Sequence, residues 1–185
     1  MGMIEQLAML AGPLLNTPAI RRIRRNHGLE HATIHMLAQG RRNLRIAGRS
    51  DSTGFFLYGD VAIEEVERAA AEALRRMRGG QHELALHPNC GTNLLTTGTL
   101  ATLAAMAGLA GAEDRPERRA ERFPTVLLMV IATLIFAPAL GMAFQRHFTT
   151  LGDPGEMEIA GIERQTLSAP FGGEVVVHRI LTSGG

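Results

Sequence analysis

Residues 123–145 read "FPTVLLMVIATLIFAPALGMAFQ" and contain no charged side chain. A second uncharged run, residues 88–112, precedes them, and the charged link "EDRPERRAER" at 113–122 joins the two. As a helix rising ~1.5 Å per residue, either run reaches about 30 Å, the thickness of a bilayer's hydrocarbon core. Neither run carries a polar stripe along one helical face. The pattern predicts a transmembrane helical hairpin over residues 91–147; a buried hairpin of a soluble protein is the alternative.

The first of these runs is rich in Gly, Ala and Thr. It contains pairs of small residues four positions apart, which allow a second helix to approach closely: Ala101/Ala105, Ala104/Gly108 and Ala107/Gly111. We therefore expect the two helices of the hairpin to pack directly on each other.

Residues 1–20 are apolar but too short and too interrupted by proline to span a bilayer. No basic stretch precedes the apolar part, so a cleaved signal peptide is not expected. We predict a segment lying in the membrane interface, with Arg21–Arg25 at the lipid headgroups. Residues 21–49 hold eight arginines against one acid, so the positive-inside rule places residues 1–90 in the cytoplasm. A hairpin then puts both termini on the cytoplasmic side of the inner membrane.

Residues 21–90 read as a cytoplasmic α+β region. Hydrophobic periodicity predicts a helix over 19–39 that ends at Gly40, and a second helix over 61–78 that is capped by Asp60. Between them, two strands are predicted, "NLRIAGRS" and "GFFLYG", around the turn "RSDST". A third strand is predicted in "HELALH". The second helix has an apolar stripe of Ile63, Val66, Ala70, Leu74 and Met77, and ion pairs are expected at Glu64/Arg68 and Glu72/Arg76.

Residues 148–185 predict two further strands, "EMEIAGIERQTL" and "EVVVHRILT", joined by the turn "SAPFGG". We expect these strands to pack on the cytoplasmic region, in one sheet with the earlier strands. The fold class predicted is therefore α+β: a small cytoplasmic helix/strand layer, a two-helix transmembrane hairpin and a C-terminal β-hairpin.

The amino-acid composition indicates which partners and side-chain roles to expect. The net charge is +1, with no tryptophan and one tyrosine, so a nucleic acid is not an expected partner. The lone cysteine, Cys90, cannot form an intrachain disulfide and is a free thiol or a metal ligand. His82 and His178 stand alone in strand-like segments and are predicted to be surface or packing residues, and His147 is predicted to lie near lipid headgroups.

Three of the seven histidines lie within "NHGLEHATIH", residues 26–35. On a helix, His27, His31 and His35 share one face, and Glu30 lies one turn from His27. The pattern H-x-x-E-H is that of the inverted zincins, in which two imidazoles bind one ion and the carboxylate acts on a water. An exposed polar helix face is the alternative interpretation.

A second group of polar residues lies in "HPNCGTN", residues 87–93. His87 and Cys90 are three positions apart, and both side chains are good zinc ligands. They lie where the cytoplasmic region meets the first uncharged run. The alternative is a Pro/Gly turn with a buried thiol.

These blocks, followed by "PALGMAFQRHFTT" and "EMEIAGIE", resemble the YqhQ-like family of bacterial membrane proteins of unknown function, described as predicted metal-dependent enzymes. A shorter related family with the "TGFFLYGD" segment is similar as well. The resemblance covers roughly residues 26–163. The polar positions that it carries over are His27, Glu30, His31, Thr33, His87, Cys90, Gly91, Thr92, Gln145, Thr149 and Thr150. His35 has no counterpart in the family pattern.

The leading functional prediction is a membrane-bound zinc-dependent hydrolase, in particular a protease. His27 and His31 are the predicted ligands, His87 or Cys90 completes the set, Glu30 is the general base, and additional candidates are His35, Thr33, Thr92 and Gln145. Imidazole and thiolate ligands favour zinc over magnesium or calcium, and another divalent transition metal fits as well. If all four ligands bind, the zinc is structural and the protein scaffolds a partner complex. A metal-free membrane protein is the third alternative.

Overall fold

The computed structural model describes residues 2–39, 41, 44–112, 116–168 and 172–185. It divides the chain into two units. The first unit comprises Met1–His87 and Arg146–Gly185, and the second comprises Pro88–Gln145. The predicted end of a helix at Gly40 lies outside the described residues.

The first unit combines helices with a sheet, so the predicted α+β class is confirmed. Its elements are α1 (Met3–Leu10), α2 (Gly12–Leu15), α3 (Pro18–Ala38), β1 (Ala47–Asp51), β2 (Gly54–Tyr58), α4 (Ile63–Arg78), a 3₁₀ helix (His82–Ala85), β3 (Glu158–Ser168) and β4 (Glu174–Ser183). The second unit contains α5 (Gly91–Leu109) and α6 (Pro116–Phe144), and α6 continues into a π-helical turn (Gln145–Thr149).

The four strands form one antiparallel sheet in the order β1-β2-β4-β3. The turn between β1 and β2 is closed by Asp51, whose Oδ1 accepts hydrogen bonds from the backbone N–H and hydroxyl of Thr53. Phe55 pairs with Ile180 across β2 and β4, so strands from both ends of the chain meet in the sheet. The expectation of one sheet shared by early and late strands is therefore confirmed.

Helices α3 and α4 supply the apolar side chains that cover one face of the sheet. The core contains side chains with no exposed surface from α3, β2, α4 and β4: Leu29, Phe55, Leu57, Val66, Met77 and Ile180. Burying each side chain of this size stabilises the fold by roughly 1.5–3 kcal/mol. The predicted stripe of α4 is buried at Val66, Ala70, Leu74 and Met77, and Ile63 is half-buried.

Helix α3 begins at Pro18, where a fixed φ and a missing N–H suit the first helical position. The buried amide of Asn26 then holds this helix to two strands: its Nδ2 donates to the backbone oxygen of Asp51, and its Oδ1 accepts from the hydroxyl of Thr182. The sheet and α3 are thereby fixed relative to each other within the first unit.

Two predictions about the region between β2 and α5 are wrong. Asp60 does not cap α4, which begins at Ile63 without a side-chain cap, and the Asp60 carboxylate instead accepts from Arg164 at 3.2 Å. The segment "HELALH" forms the 3₁₀ helix rather than a strand. Its alternating pattern suits either structure, and the carbonyls of Ala85 and Leu86 bond with histidine rings instead of a neighbouring strand.

The ion pairs expected on α4 are half confirmed. Arg76 contacts the carboxylate of Glu72 at 2.5 Å. Arg68 instead donates its Nε–H to the backbone oxygen of Glu64. Both sites are on the surface, where such contacts contribute ~0.3–0.5 kcal/mol.

In the second unit, α5 and α6 run antiparallel and pack on each other. A Cβ at Gly108 would lie 2.7 Å from Val126 Cγ2, and a Cβ at Gly141 would lie 2.5 Å from Asn93 Oδ1. The helices therefore approach closely through small residues at both ends of the hairpin, as the spacing of Ala104 and Gly108 predicts.

Within the described residues, one helix is long and apolar enough to cross a membrane by length and composition, Pro116–Thr149, and its most apolar 18-residue window has a mean hydropathy of 2.4. Only 11% of its most apolar window is buried. Helix α5 does not meet the same test, because its threonines, glycines and Asn93 dilute the apolar residues. The predicted helical hairpin is therefore present, and one of its two helices is apolar enough to span a membrane.

Candidate metal centre

The histidines of α3 form a row with His87 in the first unit. The ring centroids of His27 and His31 lie 4.4 Å apart, those of His31 and His87 lie 5.7 Å apart, and those of His87 and His35 lie 4.9 Å apart. We call these four residues the histidine row. The i, i+4 spacing on α3 places three of them on one face, as predicted, and the segment after the 3₁₀ helix brings in the fourth.

Each α3 histidine is held by a backbone carbonyl. The Nδ1–H of His27 donates to Thr149 at 2.9 Å, and the Nδ1–H of His31 donates to Ala85 at 2.7 Å. The Nε2–H of His35 donates to Leu86 at 2.8 Å. A carbonyl oxygen only accepts, so the bonded nitrogen must carry a proton, and the opposite nitrogen is the one that could bind an ion. Metal-binding histidines are oriented in the same way.

Gly28 allows these carbonyls to approach α3. A Cβ at this position would lie 2.5 Å from the backbone oxygen of Leu151 and 3.1 Å from the Cβ of Ala85. The glycine of the "HGLEH" block is therefore required by close packing. Without it, the two segments that orient His27 and His31 would be pushed away from the helix.

Arg24 fixes the turn that carries the acceptor of His27. This arginine is 8% exposed, and its Nη2 donates to the backbone oxygens of His147 at 3.0 Å and Thr150 at 3.2 Å. Burial lowers the pKa of its guanidinium from the usual value. Arg24 thus binds carbonyls at the end of a helix, where a positive charge is favourable. The prediction that it lies at the lipid headgroups is wrong for this residue.

Glu30 is buried, with 3% of its surface exposed, and lies against β1. Its Oε2 accepts a hydrogen bond from the hydroxyl of Ser50, and Gly48 leaves the space that the carboxylate occupies. Burial raises the pKa of Glu30, while the Ser50 hydrogen bond and the charge of His27 oppose that rise. The side chain is thus a confined carboxyl group beside the His27 end of the histidine row.

His87 is neutral at pH 7. Burial and the neighbouring imidazoles of His35 and His31 lower its pKa to about 4. A neutral imidazole is the form that binds metals, because protonation removes the lone pair. Its environment therefore suits a ligand.

The donor set fits a transition metal at the His27 end of the histidine row. One ligand nitrogen of His27 and one of His31 lie within 4.8 Å of each other. Zinc–nitrogen bonds are ~2.0–2.1 Å long, so a small adjustment of two side chains one turn apart brings both onto one ion. The pair could therefore hold a metal, and imidazole suits zinc, copper, iron and nickel alike.

Cys90 belongs to the second unit, where it is the buried N-cap residue of α5. Its Sγ accepts a hydrogen bond from the backbone N–H of Thr92 at 3.4 Å. Three residues of extended chain span at most about 11 Å, so the Cα of Cys90 lies within that distance of the Cα of His87.

Two additional candidates, Thr33 and Gln145, form hydrogen bonds within their own units. The hydroxyl of Thr33 donates to the backbone oxygen of Leu29, one turn earlier on α3. The Nε2 of Gln145 donates to Oδ1 of Asn93 at 2.8 Å, and Asn93 donates to the backbone oxygen of Pro88 at 2.7 Å. Gln145 and Asn93 therefore join the two ends of the α5–α6 hairpin.

Sequence reasoning missed Ser50 and Arg24 as partners of residues in the first unit, and Asn93 as the partner of Gln145 in the second unit. Ser50 lies twenty residues from Glu30 in a turn-like stretch that gave no signal. Arg24 was grouped with its neighbours as a surface charge. Asn93 could have been found, since it stands inside the "HPNCGTN" block.

Comparison with known proteins gives a family without an assigned activity. The chain is 32% identical over 137 residues to an uncharacterised protein of Picosynechococcus sp., a match that covers 69% of this chain and 65% of that protein. The chain thus spans about two-thirds of the relative's length. No solved structure shows a significant match.

The family model that matches is a domain of unknown function, DUF6391, over residues 22–162. The expectation of an unknown-function family is thus confirmed, and the comparisons give no support for assignment to the YqhQ-like family. The matched region contains most of α3, the 3₁₀ helix, His87 and the whole second unit. With more than half of its length matched, the chain belongs to the DUF6391 family.

Proposed function

We propose that this protein is a membrane-bound, metal-dependent hydrolase, with zinc as the metal and a protease of the inverted-zincin type as its specific form. One observation carries the proposal. Two imidazoles one helical turn apart, His27 and His31, are both oriented by backbone carbonyls, and a buried carboxylate lies one turn away. This combination is what a hydrolytic metal site requires of a helix.

His27 and His31 are the first two ligands in this proposal, and His87 or Cys90 completes the set. Nitrogen and sulfur ligands favour zinc, although another divalent transition metal is compatible with them. The ion, when bound, supplies Lewis acidity and lowers the pKa of a water molecule. The carbonyls of Thr149 and Ala85 keep the two rings in place.

Glu30 is the proposed general base. It takes a proton from the attacking water and passes it to the leaving group, while the hydroxide portion adds to the carbonyl carbon of the substrate. Ser50 donates to Oε2 and Oε1 lies against Gly48, so the carboxylate is held in one position. The proximity of Glu30 to His27 supports this role.

The membrane part of the proposal rests on α6 and on the sheet. Strands β1 and β2 precede the second unit in the chain, β3 and β4 follow it, and all four share one sheet. A chain that crosses a bilayer with α6 must therefore cross it again with α5. This connectivity supports a two-helix hairpin with both termini on one side, the cytoplasmic side of the inner membrane if the arginine-rich segment follows the positive-inside rule. A membrane protein is the substrate that such a position favours.

The test is peptide cleavage by the detergent-purified protein, with a complex mixture of synthetic peptides as the probe and mass spectrometry as the readout. We expect zinc-dependent cleavage in the wild type and a loss of at least 100-fold in Glu30→Gln. Glu83→Gln, which changes an exposed acid on the 3₁₀ helix, is the matched control. Equal cleavage by the wild type and Glu30→Gln would contradict the proposal.

A second function, a structural zinc in a membrane scaffold, is favoured by the burial of the ligands. His31 is 2% exposed and Cys90 is buried, as in closed sites with four protein ligands. Cobalt substitution separates the two functions. Acetohydroxamate changes the cobalt spectrum of an open, hydrolytic site and leaves the spectrum of a closed one unchanged.

A further inference from the structure

We infer that the histidine row contains a second metal-binding position, formed by His35 and His87. The inference rests on the proposed function in one respect, because it takes His27 and His31 as the ligands of the first position. It assigns His35 as a metal ligand. It also pairs His87 with His35 instead of with Cys90. The ligand expected is a divalent transition metal ion such as zinc.

The distances within the histidine row support two positions. His87 lies nearer to His35, at 4.9 Å between ring centroids, than to His31, at 5.7 Å. His31 in turn lies nearer to His27, at 4.4 Å. The four rings therefore divide into two pairs, with the widest gap between them.

A single ion cannot serve both ends of the histidine row. His27 and His35 are eight residues apart on α3, so their Cα atoms are about 12 Å apart along the helix axis. Each ring is also held by a different carbonyl, that of Thr149 or that of Leu86. To meet at one ion, both side chains would have to lean towards the middle and break these hydrogen bonds.

The orientation of His35 matches that of the proposed first ligands. Its Nε2–H donates to the Leu86 carbonyl, so Nδ1 is the nitrogen that could bind an ion. Leu86 directly precedes His87 in the chain. One short segment thus orients His35 and presents the second imidazole beside it, an arrangement that an exposed polar face does not require.

The second position has two protein ligands, so water or an oxygen atom of the substrate must supply the rest of its coordination. It should therefore bind its ion more weakly than the first position. A cation with open coordination positions can hold an oxygen atom of a substrate as a Lewis acid. His35 is then a ligand in its own right.

The experiment is equilibrium dialysis of the full-length, detergent-purified protein against buffered zinc, followed by elemental analysis. The wild type is expected to bind two ions with different affinities. His35→Gln and His87→Gln should each lose the weaker ion and keep the tighter one. His82→Gln, an exposed histidine on the 3₁₀ helix, is the matched control and should keep both.

Far-UV circular dichroism at each zinc concentration distinguishes loss of the metal site from loss of the fold. Because two variants are used, His35→Gln and His87→Gln, the test remains valid if one of them misfolds. A single ion in the wild type, or two ions in a folded His35→Gln, overturns the inference. A single ion with Glu30-dependent cleavage leaves the proposed hydrolase intact. Two ions without any cleavage support the second position and contradict the hydrolase instead.

Discussion

Helices α3 and α6 distribute polarity in opposite ways. Helix α3 buries polar side chains in the first unit: Arg24, Asn26, Glu30, His31 and Thr33. Helix α6 exposes large apolar ones, among them Leu128 at 67% and Phe136 at 73%. Buried polar groups are costly unless they are bonded, and large exposed apolar surfaces are costly in water. This difference supports both parts of the proposal: a polar site on α3 and an apolar environment around α6.

The largest effect is expected from removing a ligand on α3. His31→Ala deletes the ring that bonds with Ala85 and should weaken zinc binding by more than 100-fold, because even a lost outer partner of a metal ligand typically costs about 10–100-fold. Competition with a chromogenic chelator measures the dissociation constant. His82→Ala is the control. Unchanged zinc affinity in a folded His31→Ala would show that α3 buries its polar groups for another purpose.

The next effect concerns the apolar surface of α6. Ile135→Arg places a charge in the middle of the uncharged run and should oppose membrane insertion by about 2.5–3.5 kcal/mol. The fraction of protein that resists carbonate extraction from membranes is the measurement. Ala120→Arg, in the charged beginning of the same helix, should leave that fraction unchanged. Equal resistance of both variants would argue that α6 is not in the bilayer.

A smaller effect is expected where α3 meets its carbonyl partners. Gly28→Ala forces a methyl group against the backbone oxygen of Leu151 and should destabilise the fold by about 1–3 kcal/mol. Thermal unfolding followed by circular dichroism should show a melting temperature several degrees lower. Gly12→Ala, a helical glycine whose Cβ would meet Asn16 at 4.0 Å, should be neutral or stabilising. Equal melting temperatures would mean that close packing at Gly28 is dispensable.

The smallest effect is a dependence on pH. Burial and the charge of Arg164 lower the pKa of His178, which is almost fully buried in β4. The folded state thus favours the neutral ring. The contribution of this ring to the free energy of unfolding is present above the unfolded-state pKa of ~6.5. It is lost as the pH falls below that pKa, by at most about 1.4 kcal/mol per pH unit. His178→Gln should therefore lose less stability than the wild type between pH 7.5 and pH 5.5. An equal or larger loss in the variant would contradict this assignment.

Local patterns predicted the elements that depend on side-chain periodicity. Hydrophobic periodicity predicted a helix over 19–39, which α3 contains in large part, and the strand patterns on either side of the turn "SAPFGG" predicted β3 and β4. The same patterns brought His27, His31 and His35 to one face. Periodicity is a local property, so these predictions did not need the tertiary structure.

The remaining features depend on partners that are distant in sequence. The acceptors of the histidine rings are backbone carbonyls, which every residue has, so no residue type could indicate Thr149, Ala85 or Leu86. The segment "HELALH" predicts a strand because its pattern does not show that the carbonyls of Ala85 and Leu86 bond with histidine rings. Arg24 was assigned to lipid because its charge is visible in the sequence and its burial is not.

The central claim is that the histidine row binds metal. Elemental analysis of the detergent-purified wild type after exposure to zinc and removal of excess metal tests it most directly. At least one zinc ion retained per chain is the result that the account predicts. A folded wild-type protein that retains no zinc, copper, iron or nickel would contradict it, and the row would then be a polar contact between α3 and the carbonyls around it.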